Sequence, residues 1–273
     1  MALMQASYSS KCMRREVTFS ALLPVDDMEE SEKGVKPLKA LYLLHGYKGS
    51  HTDWINFSQI REFSDQYNVA VFMPSGADRF YLDDEENGEL WGEYTGNELV
   101  EVTRRMFPLS REREDTWIGG LSMGGYGAIR NGLKYAERFG RIIALSSALI
   151  PYTIANIKPG YHNGIEGYDY YRSVFGDLDR LLGSDKDPEA LILRLKETNS
   201  AIPQIYMSCG TEDFLLDVNR RFHHFMKQEQ VEHTYYEGPG GHTWEFWIET
   251  VRDALERASD GGTLEGLGTE QYV

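Results

Sequence analysis

The 273-residue sequence has only two cysteines and no long apolar run. Cys12 and Cys209 are far apart and lack the spacing of a metal site. They predict reduced thiols in a cytoplasmic protein, although one disulfide between them stays an open alternative. No apolar run approaches the ~18 residues that a membrane span needs. The stretch from Met1 to Lys11 also lacks the basic and then apolar pattern of a signal peptide. We therefore expect no membrane partner.

Basic residues are also scarce. Lysine and arginine total 28 against 43 acidic residues, which gives a formal net charge of −15. Because phosphate groups require a basic surface, this balance argues against nucleic acid or an anionic membrane as a partner. No nucleotide-binding loop or metal motif is present, and the acidic run 83–86 lacks the spacing of a calcium loop. The sequence predicts neither a cofactor nor a metal.

Strand-like and helix-like segments alternate along the chain, which predicts a mostly parallel sheet with helices on both faces. The predicted strands are 14–23, 40–44, 69–73, 116–118, 141–147, 203–209 and 232–236, and the predicted helices are about 52–66, 98–107, 123–136, 188–197, 216–228 and 244–258. Residues 26–36 and 75–95 are predicted loops. Residues of about 149–200 break the alternation and predict a cap-like insertion, and about 259–273 predict a flexible tail. The chain is expected to form a single α/β domain over 1–273.

The most informative stretch is Gly120-Leu121-Ser122-Met123-Gly124, which follows an apolar run and precedes a helical segment. It matches the G-x-S-x-G pattern, in which a tight strand-to-helix turn presents the serine hydroxyl at its tip. The pattern alone also fits a glycine-rich turn with an incidental serine. Ser122 is therefore a candidate nucleophile whose assignment depends on the rest of the chain.

Two further residues follow in the required order. Asp213 comes four residues after strand 203–209, and His242 lies in a glycine-rich loop before the last helix. The order Ser, Asp, His is typical of α/β-hydrolases. An imidazole accepts the serine proton, and a carboxylate fixes its tautomer. Taken singly, Asp213 also fits a helix N-cap and His242 a solvated loop residue; Glu212 and Asp217 are the competing acids.

A tetrahedral oxyanion needs two backbone N–H donors in a dry site. One is expected from Met123, the residue after the nucleophile. The other is expected from Tyr47 in the loop after strand 40–44, where Gly46 lets the backbone turn inward. An ordinary glycine turn is the alternative at Gly46.

The segments His45-Gly46, Asp53-Trp54, Gly92-Glu93-Tyr94 and 119–128 together resemble the putative esterase (esterase D-like) family over about residues 8–258. The resemblance implies an α/β-hydrolase fold and a serine esterase with Ser122, Asp213 and His242 as its triad and Tyr47 and Met123 as oxyanion donors. Tributyrin esterases are the members that this sequence resembles most, followed by feruloyl and acetylxylan esterases. Leu121 and Tyr47-Lys48-Gly49 depart from S-formylglutathione hydrolases.

We therefore expect a serine carboxylesterase for short-chain acyl esters, with a carbohydrate-ester hydrolase as the alternative. A non-catalytic binding protein on a hydrolase scaffold is the third reading, and the intact triad argues against it. The oligomeric state stays open, and a homo-oligomer is one option. The candidate substrate contacts are His45, Trp54, Trp91, Tyr168 and Tyr171. Trp244 and Trp247 are interpreted as core anchors of the last helix.

Overall fold

The structure is a computed structural model that describes residues 1–26, 30–31 and 34–259. Its centre is an eight-stranded sheet. The strands of the described chain are β1 Ala2–Ser10, β2 Arg15–Leu23, β3 Glu30–Ser31, β4 Gly34–Val35, β5 Lys39–Leu44, β6 Val69–Pro74, β7 Asp83–Asp84, β8 Glu89–Leu90, β9 Thr116–Leu121, β10 Arg141–Leu145, β11 Gln204–Gly210 and β12 His233–Gly238. In the large sheet the order is β1-β2-β6-β5-β9-β10-β11-β12. Strands β5, β6 and β9 to β12 pair in parallel, and β1 and β2 add an antiparallel edge.

Helices follow most of the parallel strands. The α-helices are α1 Asp53–Phe57, α2 Ile60–Gln66, α3 Trp91–Glu93, α4 Leu99–Met106, α5 Met123–Lys134, α6 Pro151–Ile154, α7 Tyr168–Phe175, α8 Pro188–Glu197, α9 Leu216–Gln228 and α10 Trp244–Ser259. A π-helical turn spans Tyr94–Glu98 between α3 and α4, and a 3₁₀ turn spans Leu178–Arg180. Among the described helices, none has the length and apolar character needed to cross a bilayer.

The core lies on both faces of the sheet because successive side chains of a strand point to opposite sides. In β5, Tyr42 packs into one cluster with helices α4, α5 and α9, whereas Leu41 and Leu43 pack into a second cluster with α1, α2 and α10. All three side chains are fully buried. A strand covered on both faces reads as a continuous apolar run, as 40–44 does. The expected α/β fold with helices on both faces is confirmed.

Strand β1 and the segment 52–66 differ from the predicted elements. Strand β1 was not predicted, because it forms the sheet edge and its mostly exposed side chains give no apolar pattern. The predicted helix 52–66 is two helices, because Ser58 adopts an extended conformation between them. The Ser58 hydroxyl then accepts the Ile60 N–H at 3.2 Å and supports the start of α2.

Four predicted segments contain further elements or lie partly outside the described residues. The predicted loop 75–95 contains the small hairpin β7–β8 and helix α3. Part of the predicted loop 26–36 and the predicted tail beyond residue 259 lie outside the described residues. The insertion between β10 and β11 carries α6, α7 and α8, and its residues 161–171 reach the cavity described below.

Candidate active site

Ser122 lies at the turn between β9 and α5 with φ +55° and ψ −117°. This left-handed backbone is unusual for a residue with a side chain. It exists because the chain reverses in very little space: a Cβ on Gly120 would lie 2.5 Å from the Gly124 carbonyl oxygen, and one on Gly124 would lie 2.5 Å from that of Leu44. The two glycines let the helix pack against the strand ends and leave the Ser122 hydroxyl at the tip.

His242 connects the serine to an acid. Its Nδ1 lies 2.9 Å from Oδ2 of Asp213, and its Nε2 lies 3.0 Å from Oγ of Ser122. A carboxylate only accepts hydrogen bonds, so Nδ1 carries the proton and Nε2 accepts the serine hydroxyl. This tautomer is the one that lets Nε2 remove the serine proton.

Asp213 makes a second contact as well. Its Oδ1 accepts the Leu215 N–H at 2.8 Å just before α9. The N-cap residue of α9 is Leu215, so Asp213 braces the approach to the helix and is not its N-cap. Burial disfavours its charge, yet the hydrogen bonds from His242, Leu215 and Ser146 outweigh that effect and lower the pKa of Asp213. The carboxylate is therefore well stabilised in its charged form.

Two aromatic rings hold the imidazole. The Trp247 ring meets His242 edge to face, with centroids 4.8 Å apart, and the Phe214 ring lies 4.6 Å away. The Trp247 Nε1 donates to the Ser146 hydroxyl at 3.0 Å. Since Ser146 also bonds Asp213, one buried hydroxyl connects the acid to a ring that packs on the histidine. Trp247 therefore anchors the last helix in the core and also packs against His242.

The loop after β5 closes on the nucleophile. A Cβ on Gly46 would lie 2.7 Å from Cδ1 of Leu121 and 3.6 Å from Cβ of Ser122. Within the described hydrogen-bond network, the backbone N–H groups of Tyr47 and Met123 donate to no protein acceptor. Both residues line the same cavity as Ser122. An oxyanion site requires two backbone N–H donors of this kind.

A cavity of about 640 Å³ opens beside Ser122. The two predicted oxyanion donors, Tyr47 and Met123, line it. Apolar and aromatic side chains of the insertion, together with Phe214 and Trp244, form other parts of its wall. Of the candidate substrate contacts, Tyr171 lies in this lining and accepts a hydrogen bond from the Asn163 amide at 2.8 Å. The volume suits a small organic ligand.

The structure places the other four candidate contacts elsewhere, which corrects that part of the prediction. Trp54 and Trp91 are buried, and their indole N–H groups donate to the Leu44 carbonyl and the Glu89 carboxylate. Tyr168 borders a separate, highly charged cavity of about 820 Å³. An aromatic residue in a family-like segment can pack in the core or line a pocket. Its position in the sequence does not distinguish these two locations.

His45 is the fourth. It is 1% exposed, and its Nδ1 bonds the Gly46 carbonyl at 2.7 Å while its Nε2 accepts the Gly76 N–H at 2.9 Å. Burial lowers the pKa of His45 despite the Gly46 hydrogen bond, so the neutral ring is favoured. His45 therefore shapes the loop that carries Tyr47 and does not face the cavity.

Sequence reasoning missed Glu166, Phe80 and Phe214 as cavity residues. For Phe214 a signal was available, because it directly follows the candidate acid. Glu166 comes from the irregular insertion, where no periodicity indicates which side chains face inward. Among the described residues, no cluster of three or more histidine, cysteine or acidic side chains is arranged to hold a metal ion.

Comparison with known proteins gives the same fold and chemistry. The family model described as "Putative esterase" matches residues 10–258. An acetyl esterase of Caldicellulosiruptor saccharolyticus is 52% identical over 259 residues, which cover 94% of this chain and 97% of that relative. Two Staphylococcus aureus structures each cover 94% of this chain and 98% of their own: fluorophosphonate-binding serine hydrolase F (TM-score 0.83, 27% identity) and the S-formylglutathione hydrolase FrmB (TM-score 0.82, 26% identity).

The fold, with these relatives, defines a carboxylic ester hydrolase of the α/β-hydrolase class. The chain belongs to the putative esterase family. The resemblance inferred from the Ser122 turn and the His45-Gly46 loop is confirmed at the level of the family.

Proposed function

We propose that this protein is a serine esterase that hydrolyses short-chain acyl esters through Ser122, His242 and Asp213. The observation that carries the proposal is the continuous chain from Ser122 Oγ to His242 Nε2 at 3.0 Å and from His242 Nδ1 to Asp213 Oδ2 at 2.9 Å. It opens onto the cavity of about 640 Å³.

In the proposed reaction, His242 takes the Ser122 proton as the oxygen attacks the ester carbonyl carbon. The tetrahedral oxyanion is stabilised by the N–H groups of Tyr47 and Met123. Collapse of this intermediate breaks the bond to the alcohol, which leaves with the proton from His242, and an acyl-enzyme remains. His242 then deprotonates a water molecule that attacks the acyl carbon, and Ser122 regains its proton as the acid leaves.

The 52% identical acetyl esterase supports a short acyl group. The cavity is much larger than an acetyl group, and eight of the side chains that line it are aromatic, which favours a bulky alcohol or an aromatic acyl group as the second candidate. This second candidate includes carbohydrate esters. S-formylglutathione is disfavoured, because no lysine or arginine among the described lining residues is available to pair with the glutathione carboxylates. The cytoplasmic location stays a prediction, and the oligomeric state stays open.

The decisive variant is Ser122→Ala. It removes only the hydroxyl, so the fold should persist while kcat falls by about 10⁶-fold, which leaves a residual catalysis of roughly 10³-fold over water from the oxyanion donors and binding. A fluorophosphonate probe should label the wild-type protein and leave the variant unlabelled. Wild-type activity or labelling in the purified variant would remove Ser122 from the mechanism.

The substrate class is tested with nitrophenyl esters of rising chain length, together with methyl ferulate and acetylated xylo-oligosaccharides. We expect kcat/KM to be highest for the acetyl to butyryl esters. A higher kcat/KM for methyl ferulate or for the acetylated sugars would favour the second candidate.

A further inference from the structure

Apart from His242, the titratable acid and base side chains that line the cavity beside Ser122 in the described chain are carboxylates and tyrosines. Among its described lining residues, the carboxyl side chains are Asp53 and Glu166, and neither lysine nor arginine is present. Asp53 accepts hydrogen bonds from the Ser50 N–H and hydroxyl at 3.1 and 3.2 Å, which tie it to the loop before α1. Glu166 belongs to the insertion and lines the same cavity. Two acids from separate segments of the chain therefore face the space that a substrate would occupy.

Glu166 is held in place by a neutral partner. The Tyr47 hydroxyl donates to Oε1 of Glu166. In the described part of the chain, no cationic side chain forms an ion pair with Glu166. A nearby ammonium group, that of Lys48, lies 5.4 Å from the centroid of the Tyr47 ring and belongs to a residue outside the cavity lining. The Glu166 carboxylate is thus positioned without an ion-pair partner to neutralise it.

The aromatic walls of the cavity also favour positive charge. The aromatic lining residues are Tyr47, Phe80, Tyr161, Tyr170, Tyr171, Phe214, Trp244 and Trp247. The faces of such rings are negative and attract cations. Carboxylates and ring faces together give the cavity a field that favours positive charge and opposes negative charge.

We infer that this cavity selects esters by the charge of their alcohol part, favouring cationic and then neutral alcohols over anionic ones, with Glu166 as a specificity-determining residue. The inference rests on the proposed function, because it assumes that Ser122 attacks an ester held in this cavity. The alcohol part is the relevant one since a short acyl group fills little of the cavity. At partly screened separations of about 10 Å, one carboxylate should change kcat/KM by about threefold per unit of substrate charge.

The test uses three phenyl acetates that differ in one meta substituent: trimethylammonium, its uncharged isostere tert-butyl, and sulfonate. Each kcat/KM is divided by the rate constant for hydroxide-catalysed hydrolysis of the same ester, which removes the effect of the substituent on leaving-group reactivity. For the wild-type protein we expect the order cation, neutral, anion, with at least a tenfold span that shrinks as salt is raised. Normalised values equal within threefold would overturn the charge selectivity.

The variant Glu166→Gln removes the charge and keeps an oxygen that can accept from Tyr47. It should reduce the ratio of cation to anion by about tenfold, which corresponds to about 1.4 kcal/mol. The matched control is Glu197→Gln, which removes the same charge from an exposed site at the end of α8 and should keep the wild-type ratio. An unchanged ratio in Glu166→Gln would overturn the assignment to Glu166.

Failure of the proposed function gives a different result. If wild-type protein hydrolyses neither unsubstituted phenyl acetate nor the charged esters, the esterase proposal itself is wrong. If it hydrolyses all of them at equal normalised rates, the esterase proposal stands and the charge selectivity falls. The wild-type series and its salt dependence need no variant, so they decide the question even if Glu166→Gln does not fold.

Discussion

Three acidic residues follow β11, and the structure distinguishes them by burial and contact. Asp213 is buried and bonds His242 at 2.9 Å, whereas Glu212 and Asp217 are exposed. Asp217 lies in the first turn of α9, and no hydrogen bond joins its carboxylate to His242 among the described residues. Position as well as order in the chain therefore supports Asp213 as the proposed orienting carboxylate.

Asp213→Asn should lower kcat on the order of 10⁴-fold, because an amide at this position favours the wrong tautomer of His242. Glu212→Gln and Asp217→Asn are the matched controls and should each cost less than about tenfold. Steady-state kinetics on one nitrophenyl ester would compare the three. If Asp217→Asn is the crippled variant and Asp213→Asn stays active, the assignment of the acid is wrong.

Helix α9 and the loop after β10 are joined by a single buried amide. The Asn219 Oδ1 accepts the Ser147 N–H at 3.1 Å, and its Nδ2 donates to the carbonyl groups of Ser147 at 2.9 Å and Leu215 at 2.8 Å. The next residue, Ala148, donates its N–H to the Ser122 carbonyl at 2.9 Å. This path connects the turn that carries the nucleophile to the helix that begins just after Asp213.

Asn219→Ala should lower the free energy of unfolding by about 1–3 kcal/mol, because it leaves the buried Ser147 N–H without its acceptor. The carbonyl groups of Ser147 and Leu215 keep the N–H groups of Leu149 and Asn219 as donors. It should also lower kcat, since the nucleophile turn and the acid loop lose a common support. Chemical denaturation and kinetics would measure both effects. Asn87→Ala is the control: its hydrogen bonds to Asp84 lie in an exposed turn, so it should cost less than about 1 kcal/mol. Equal costs for the two variants would contradict the role of Asn219.

Elements with a strong apolar pattern were predictable, and elements without one were not. Helix α9 has the predicted bounds because its apolar face recurs at helical spacing, with Phe222 and Met226 buried. Strand β5 was predicted from its continuous apolar run. Strand β1 lies at the sheet edge, so few of its side chains are buried and little in the sequence marks it.

Some residues of the candidate site could likewise be predicted from the sequence, and others could not. Ser122, Asp213 and His242 could be proposed from the sequence because each follows a predictable strand, and parallel strands end at one edge of the sheet. Glu166 could not, because its place in the cavity depends on how an irregular insertion folds back. Trp54 and Trp91 were predicted as substrate contacts but are buried, because large aromatic side chains are common both in protein cores and in ligand pockets.

The acid sensitivity of the whole molecule should depend on a histidine pair at the far edge of the sheet. Nδ1 of His223 on α9 lies 2.8 Å from Nε2 of His233 on β12. The Tyr235 ring stacks on His223 with centroids 4.5 Å apart. Other charged or titratable groups that act on the pair are Lys227, His224 and Glu237. Both elements lead toward the candidate site, since α9 begins just after Asp213 and β12 ends just before His242.

Burial, and then the neighbouring positive charges, lower the pKa of His223 to about 4, and burial also lowers that of His233. Between pH 6.5, the ordinary value, and about 4, the unfolded chain therefore binds more protons than the folded protein. The free energy of unfolding should fall as the pH falls through this window. The loss from this pair should be about 1–3 kcal/mol. Carboxylates with lowered pKa values, such as Asp213, add further loss at lower pH.

Urea denaturation of wild-type protein and of His223→Asn at pH 7.5 and pH 5.0 would test this. The variant cannot take up the proton at position 223, so its unfolding free energy should change less between the two pH values. Phe222→Leu, at the buried neighbouring position on α9, is the control: it should be less stable at both pH values and keep the wild-type difference between them. An undiminished pH difference in His223→Asn would mean that the acid sensitivity arises elsewhere in the molecule.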